Sequence, residues 1–261
     1  MRQSRTLQAA LGVYTLLVLV FLYVPIIPPL VLSLHAPERS GTTLESYSQI
    51  GQNPVLVSSI QTTLLLGILT AVITSLLALL AARAVRELGA ARPILLLILL
   101  PLFIPGVSMG VASAFFFQQV GITPSLWTML SVQVLWALPF AFLIILTAMA
   151  TFDPVYLEVA YVHGANRLRA FRDVELPLIG RGILGGAIFS FILSLNETVR
   201  TQLVEGAQNT VQTYIWSTYL QIGLSPALYA LMTLLILATL LFVLVLLLVN
   251  VSRRRRAALS S

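Results

Sequence analysis

The chain has 261 residues, 58% of them hydrophobic and only 9% charged, with a mean hydropathy of +0.97. Soluble domains carry about 25% charged residues to keep their surfaces dispersed, so this composition belongs in a bilayer. Its 15 basic residues are all arginine, its formal net charge is +6, and it has neither lysine nor cysteine. Without lysine there is no phosphate-binding loop of the G-x-x-x-x-G-K-[ST] type, so this chain does not hydrolyse ATP by that route. Without cysteine, thiolate metal sites, disulfides and cysteine nucleophiles are excluded, and the isolated His35 and His163 do not make an H-E-x-x-H zinc site. The arginines sit at the ends of apolar runs and not on one basic face, which marks them as topology signals and speaks against nucleic acid as a partner.

A bilayer core about 30 Å thick needs roughly 20 apolar residues per helix. Six runs of that kind occur, over residues 7–34, 55–82, 94–117, 125–150, 182–203 and 227–251. The first is too long for a signal peptide and has no small-residue cleavage site before Pro25, Pro28 and Pro29, so it reads as a span. Pro101 and Pro105 in the third run and Pro139 in the fourth predict kinks. Lipid tolerates a kink where neighbouring helices or a water-lined cavity satisfy the freed carbonyls, although proline is common in membrane helices generally. Arg2 and Arg5, then Arg83, Arg86 and Arg92, then Arg167, Arg169, Arg172 and Arg181, and finally Arg253–Arg256 flank alternate runs, with only Arg39 and Arg200 outside the pattern. Positive residues in short loops stay on the cytoplasmic side, so both termini are expected there. The expected fold class is all-α: one polytopic domain over residues 1–261 with six transmembrane helices.

Between the fourth and fifth runs lies FDPVYLEVAYVHGANRLRAFRDVELPLIGR, the one long polar segment on the cytoplasmic side. Asp153 suits an N-cap with Pro154 at the first helical position, and Gly164 is placed to end that helix in the left-handed conformation. Asn166 can cap a second short helix on which Leu168 and Phe171 project three residues apart, ringed by Arg167, Arg169 and Arg172. The result is a compact two-helix knob. Its apolar residues Tyr161, Val162, Leu168 and Phe171 need a partner's groove or the knob's own core; the alternative is an amphipathic hairpin resting on anionic lipid headgroups.

In the fifth run Ser190, Ser194, Glu197 and Thr201 follow one helical stripe, with Asn196 beside it. An acid within a span is costly and faces protein or water. At about 1.5 Å per residue outward from Gly182, Glu197 lies beyond the midplane, where it lines a solute pathway, partners Arg200, or stands at the outer surface. Trp127, Trp136, Tyr214 and Trp216 read as interface anchors or packing, and Gly185 and Gly186 as points of close helix approach. Residues 205–226, rich in turn and amide residues, form an outer segment able to meet a solute-binding protein.

The loop resembles the signature of ABC importer inner-membrane permeases: E-A-A, three residues, G, nine residues, I-x-L-P. Here it reads Glu158-Val159-Ala160, Gly164, then Val174-Glu175-Leu176-Pro177, with both spacings kept and valine in place of the second-position alanine and of isoleucine. FLYVPIIPPLVLSL, LPLFIPGVSMG and SFILSLNETVRT extend the likeness to the spermidine/putrescine class over nearly the whole chain. The resemblance implies the type I (MetI-like) permease fold, with a five-helix core over residues 55–252 and a coupling loop over residues 152–177. It implies that the loop enters a cleft on an ATP-binding subunit, whose closure swings the permeases between inward- and outward-facing states.

Carried onto matching positions, Glu158, Ala160 and Gly164 would be the coupling residues, with Leu168, Phe171, Leu176 and Pro177 beside them. Ser190, Ser194, Asn196, Glu197 and Thr201 are the pathway candidates. No cofactor is expected in this chain, since ATP and Mg would sit on two ATP-binding cassette subunits. The other implied partners are a second, different permease, a periplasmic or extracellular solute-binding protein and the lipid of a bacterial inner membrane.

A small organic amine or polyamine-like solute is the first expectation. Amino-acid-like, phosphonate and carboxylate solutes are the alternatives, because Asn196 replaces one acid of the polyamine-type pattern and Arg200 follows. A secondary transporter is disfavoured by the scarcity of ionisable residues in the runs, and a membrane enzyme by the lack of paired carboxylates or a nucleophile–base set.

Overall fold

The computed structural model describes residues 5–34, 44–89 and 91–259. The expectations attached to Arg2, His35 and Arg39 lie outside the described residues, as do the side chains of Arg5 and Arg253–Arg256. Among the described residues every regular element is helical. The chain divides into two compact units, residues 1–54 with 218–261, and residues 55–217.

In the first unit, α1 (Arg5–Tyr23) runs through a 3-10 turn (Val24–Ile26) into α2 (Ile27–Leu32). Pro25 and Pro28 fall in the first turns of those short elements, where a missing N–H costs no helical hydrogen bond. The prolines thus mark a short 3-10 interruption between α1 and α2. α3 (Glu45–Gln52) follows. The long α13 (Pro226–Leu259) packs on α2 and α3, and its buried Thr233 donates to the carbonyl of Pro29 at 3.2 Å. A hydroxyl from a neighbouring helix thus serves the proline-interrupted segment. Ser33, also buried, bonds the Tyr47 hydroxyl at 2.7 Å and joins α2 to α3.

The second unit is built on α4 (Pro54–Leu88), whose buried face carries small and hydroxyl residues at helical spacing, among them Ser59, Thr63, Gly67, Thr70, Thr74, Ala78 and Ala82. At 1.5 Å per residue it is about 52 Å long, well beyond the bilayer core, so its last turns carry Arg83, Arg86 and Glu87 clear of the apolar layer. The third run departs from expectation. α5 (Ala91–Leu99) and a 3-10 turn (Leu100–Phe103) meet α6 (Gly106–Gln119) at a bend of 102°. Ile104 is extended there, as a residue before proline must be, and Pro105 has no N–H to continue a helix.

By contrast α7 (Leu126–Ala150) accommodates the buried Pro139 without a break. α8 (Val155–Val162) and α9 (Arg167–Ala170) form the polar loop. A π turn (Phe171–Glu175) then carries the chain from α9 into α10 (Leu176–Leu195). The fifth run therefore begins at Arg167 and not at residue 182, and it stops before α11 (Val199–Val204), so the expected stripe from Ser190 to Thr201 crosses a helix break. α12 (Val211–Ile222) occupies the predicted outer segment.

α7 and α10 pack most closely, around Ala141, Phe142, Ile145, Met149 and Ile179, with Ala78, Leu79 and Ala82 from α4. Gly182 permits the tightest approach, since a Cβ there would overlap that of Ala148, while one at Gly186 would lie 3.3 Å from Ile145. Of the two glycines expected at a close helix approach, Gly186 is at one, while a Cβ at Gly185 would stand at an ordinary 3.5 Å from Ile144. Leu7–Leu32, Pro54–Leu88, Leu126–Ala150 and Arg167–Leu195 are long and apolar enough to cross a bilayer, the bent pair around Pro105 makes a fifth, and Pro226–Leu241 opens α13. This inventory is compatible with six spans.

Candidate functional site

The polar loop is fixed by local hydrogen bonds. The Asp153 carboxylate accepts from the Val155 N–H at 3.0 Å and fixes the turn into α8, whose N-cap is Pro154, one residue later than the sequence predicts. At the other end Gly164 has φ +82, its N–H reaches the Tyr161 carbonyl at 2.9 Å, and the Ala165 N–H reaches the Ala160 carbonyl at 3.0 Å. These two bonds are the Schellman closure of a helix, and the left-handed residue it requires is the glycine. Asn166 then caps α9 by accepting from the Arg169 N–H at 2.9 Å.

The predicted second short helix does not end, because the π turn joins it to α10. The Leu176 N–H bonds the Phe171 carbonyl five residues back, and Pro177, with no N–H, follows in the first turn of the regular helix. The second arm of the knob is thus the lower end of a membrane helix.

The predicted coupling residues separate into two groups. No residue of α8 is buried, and Val155, Val159 and Val162 form an exposed apolar stripe at i, i+4 and i+7, beside exposed Glu158 and Tyr161. Leu168 on α9 is 72% exposed, while Ala160 is half-buried and Pro177 exposed. Phe171 and Leu176 instead turn inward and pack on the cluster around Phe142 and Ile179. The Arg83 guanidinium lies over the Phe171 ring at 4.3 Å, and Arg83 also pairs with Glu87. Beside it Arg86 Nη1 stands 2.7 Å from Oε1 of Glu175, which is only 2% exposed. That contact is an ion pair without hydrogen-bond alignment, and Oε1 has no other partner. Two arginines at the end of α4 therefore hold the π turn.

The fifth-run candidates meet a second set of polar groups. Gln133 on α7 is 1% exposed; its Oε1 accepts from Thr70 at 3.3 Å and Ser194 at 2.5 Å, and its Nε2 donates to Thr201 at 3.0 Å. One amide ties α4, α10 and α11 to α7, satisfying hydroxyls that would otherwise be stranded. Ser190 is wholly buried and its hydroxyl has no partner.

Glu197, in the break after α10, is 5% exposed, and Arg200 is 8% exposed. Arg200 Nη1 donates to Glu197 Oε2 at 2.7 Å and the Arg200 backbone N–H to Oε1 at 2.8 Å. Of the three roles open for Glu197, pairing with Arg200 is therefore made, and it stands inside the protein. The guanidinium also stacks on Trp136 at 3.8 Å from the ring centroid. Asn196 is exposed and its amide donates back to the Ile192 carbonyl at 2.8 Å. A cavity of about 360 Å³ opens on Asn196, Glu197, Thr198 and Arg200 from one side and Gly106 and Val107 from the other.

Comparison with known proteins agrees with these features. A family model described as "Binding-protein-dependent transport system inner membrane component" matches residues 64–257. The chain belongs to that family. This permease is similar to the spermidine/putrescine transport system permease protein PotC of Escherichia coli strain K12, at 26% identity over 85% of this chain and 87% of PotC. It is 33% identical to a probable molybdenum ABC transporter permease protein of Haloferax volcanii over 51% of this chain and 53% of that one. Among solved structures it resembles a bacterial ABC transporter involved in import of the acidic polysaccharide alginate, with a TM-score of 0.71, 14% identity, and coverage of 96% of this chain and 98% of that one. A second alginate transporter structure, in complex with alginate pentasaccharide-bound periplasmic protein, matches with a TM-score of 0.66 and 22% identity over 95% and 94% of the two chains.

The permease is thus an inner-membrane, multi-pass protein of ABC importer permease fold. Several contacts that organise its sites were not legible in the sequence alone. Gln133, Trp136 and Gly106 sit in apolar runs, Trp136 reading as an anchor or packing residue, and their meeting with Ser194 and Arg200 is tertiary. A polar amide in an otherwise apolar span was the one available hint for Gln133. Arg86 and Glu175 were legible as charges but not as a pair, since 89 residues separate them (175 − 86).

Proposed function

We propose that this permease forms half of the solute translocation pathway of an importer, paired with a second permease and driven by ATP hydrolysis on two partner subunits. The observation that carries the reading is the doubly capped loop over residues 152–177, whose exposed stripe of Val155, Val159 and Val162 beside Glu158 and Gly164 is unburied by this chain and fits a partner's cleft. A rigid knob continuous with α10 passes on a rigid-body displacement, where a flexible loop would absorb it. A solute-binding protein would deliver cargo from the outer side, a reading supported by the binding-protein complex of the alginate transporter.

The test is co-purification. Tagged permease extracted in mild detergent is expected to bring down an ATP-hydrolysing subunit, and Val155, Val159 and Val162 changed together to Asp are expected to lose it. A permease that leaves the membrane without such a subunit would overturn the proposal.

For the solute, the likeness to PotC supports a small organic amine or polyamine, with Ser190, Ser194, Asn196, Glu197 and Thr201 along the pathway. A second reading, an amino-acid-like, phosphonate or carboxylate solute, is favoured by one observation: Glu197, the acid in the break after α10, is already neutralised by Arg200. Thermal-shift screening of the cognate binding protein against amines, amino acids, phosphonates and carboxylates separates the two.

A further inference from the structure

Gln133 on α7 is bonded to both arms of the broken fifth run. Its Oε1 accepts from Ser194, in the last turn of α10, and its Nε2 donates to Thr201 on α11. All three side chains are buried, so these bonds form away from water, where they are stronger. Each hydroxyl can donate or accept, so both contacts survive a reversal of the amide.

The reach of one amide constrains the angle between the arms. Ser194 and Thr201 stand at i and i+7, which in an unbroken helix is a rise of about 10.5 Å along the axis. Two hydrogen bonds and the width of the amide group leave the two hydroxyls about 8 Å apart at most. The two bonds together therefore favour a chain that breaks between them and folds Thr201 back toward Ser194.

Between these two anchors lie groups that line the 360 Å³ cavity: Asn196, Glu197, Thr198 and Arg200. Arg200 immediately precedes Thr201 and carries its guanidinium from Glu197 to the Trp136 ring, 3.8 Å from its centroid. Trp136 is three residues beyond Gln133 on the same helix, so α7 meets the broken run twice, once through an amide and once through a ring. The third bond of Gln133, accepted from Thr70 on α4 at 3.3 Å, touches neither arm.

We propose that Gln133 is a positioning residue for the solute pathway: it holds α11 at its angle to α10 and so places Asn196, Glu197 and Arg200 at the cavity, without touching solute itself. The proposal rests on the reading of this chain as an importer permease with the broken run along its pathway. An apolar side chain of similar size would fill the same space and leave the angle free, because the released hydroxyls can turn back to carbonyls of their own helices.

The test uses the permease with its ATP-binding partners in nanodiscs and three variants, Gln133→Leu, Thr201→Val and Thr70→Val. Hydrogen exchange read peptide by peptide reports on the break. The emission of Trp136, isolated as the difference from Trp136→Phe, reports whether Arg200 stays on the ring. Gln133→Leu and Thr201→Val are expected to speed exchange over residues 196–204 about tenfold and to shift the Trp136 emission. Thr70→Val removes a bond to the same amide; it is expected to lower the thermal midpoint and to leave both local readouts at their wild-type values. Should Gln133→Leu fail to assemble, Thr201→Val decides the matter, since it leaves the amide and α7 intact. The double variant Gln133→Leu with Thr201→Val is expected to show no more than either change alone. Equal responses from Thr70→Val and Thr201→Val would make the amide a structural tie and overturn the proposal, as would wild-type exchange and emission in Thr201→Val. Those readouts do not depend on ATP hydrolysis, so their failure sinks the positioning role alone, whereas a permease that recruits no ATP-binding subunit sinks the importer reading and the pathway role with it.

Discussion

The polar loop over residues 152–177 and the polar bend around Arg200 are held by different kinds of interaction. In the loop the bonds at the helix ends are all short-range, Asp153 to Val155, Ala165 to Ala160, Asn166 to Arg169, and only the π turn at its end is held from a distance, by Arg83 and Arg86. At the bend only the Glu197–Arg200 pair is local, while Gln133, Trp136 and Gly106 arrive from other helices. The loop is a part that can be specified by a short motif and presented to a partner. The bend exists only when the bundle has assembled. Breaking one bond in each region should therefore give different phenotypes: loss of coupling in the loop, loss of stability or of solute recognition at the bend.

The largest effect is expected at Gly164. Proline cannot adopt φ +82, so Gly164→Pro removes the Schellman closure and re-aims α9. Uptake and solute-stimulated ATP hydrolysis should both vanish, while the protein still inserts in the membrane. Gly164→Asp faces open space, so its cost is the backbone conformation alone, about 1–2 kcal/mol. It should impair coupling in the same direction and less completely. Solute-stimulated hydrolysis preserved in purified Gly164→Pro complex would remove the loop from the coupling path.

Next comes the buried pair at the bend. Glu197→Ala leaves Arg200 uncompensated among apolar neighbours, a loss of about 3 kcal/mol or more that should lower the thermal midpoint of the complex. Glu197→Gln keeps an acceptor and should lose less. Uptake measured in Glu197→Gln also tests the pathway assignment, since unchanged affinity and rate would take Glu197 out of it. Equal midpoints for wild type and Glu197→Ala would show that the pair contributes nothing to stability.

The contrast between the regions also explains what the sequence could reveal. The turn at Asp153 and the caps at Gly164 and Asn166 follow from residue type and spacing, because their partners lie within a helical turn. The apolar runs follow from bilayer thickness. The bend of 102° did not, since proline alone leaves the angle open and the rest is set by what Gly106 and Gly110 pack against, namely Arg200 and Leu203. Reading Ser190, Ser194, Glu197 and Thr201 as one stripe assumed an unbroken helix, and the break at Asn196 made that false even though all four residues are buried. Phe171 was legible as apolar but not as inward-facing, because its orientation depends on Arg83 from α4.

The pair between Arg86 and Glu175 stands between the two regions, being long-range yet attached to the loop. Arg86 is a third exposed, so Glu175→Gln should destabilise by only about 1–3 kcal/mol, less than breaking a wholly buried pair. Its sharper consequence concerns transmission. If the pair passes loop displacement to α4, solute moved per ATP hydrolysed should fall in Glu175→Gln, and exchanging the charges with Arg86→Glu and Glu175→Arg should partly restore it. Uptake and hydrolysis declining together, in proportion to assembled complex, would make the contact structural only.

The smallest effect is expected outside the bundle, at Glu205. Burial raises its carboxyl above the usual carboxylate range, a hydrogen bond with Thr213 opposes that rise, and Oε2 has no partner. Because the folded state holds this proton more tightly than the unfolded state, the group's stabilising contribution is complete below the ordinary carboxylate range and is lost as pH rises through the raised value. Wild-type complex should therefore lose slightly more thermal stability than Glu205→Gln, whose amide does not titrate, as pH rises above the ordinary carboxylate range. Superimposable pH profiles for wild type and Glu205→Gln would show that the buried carboxylate is solvated in solution and that this end of the outer segment is looser than its packing on Thr213 implies.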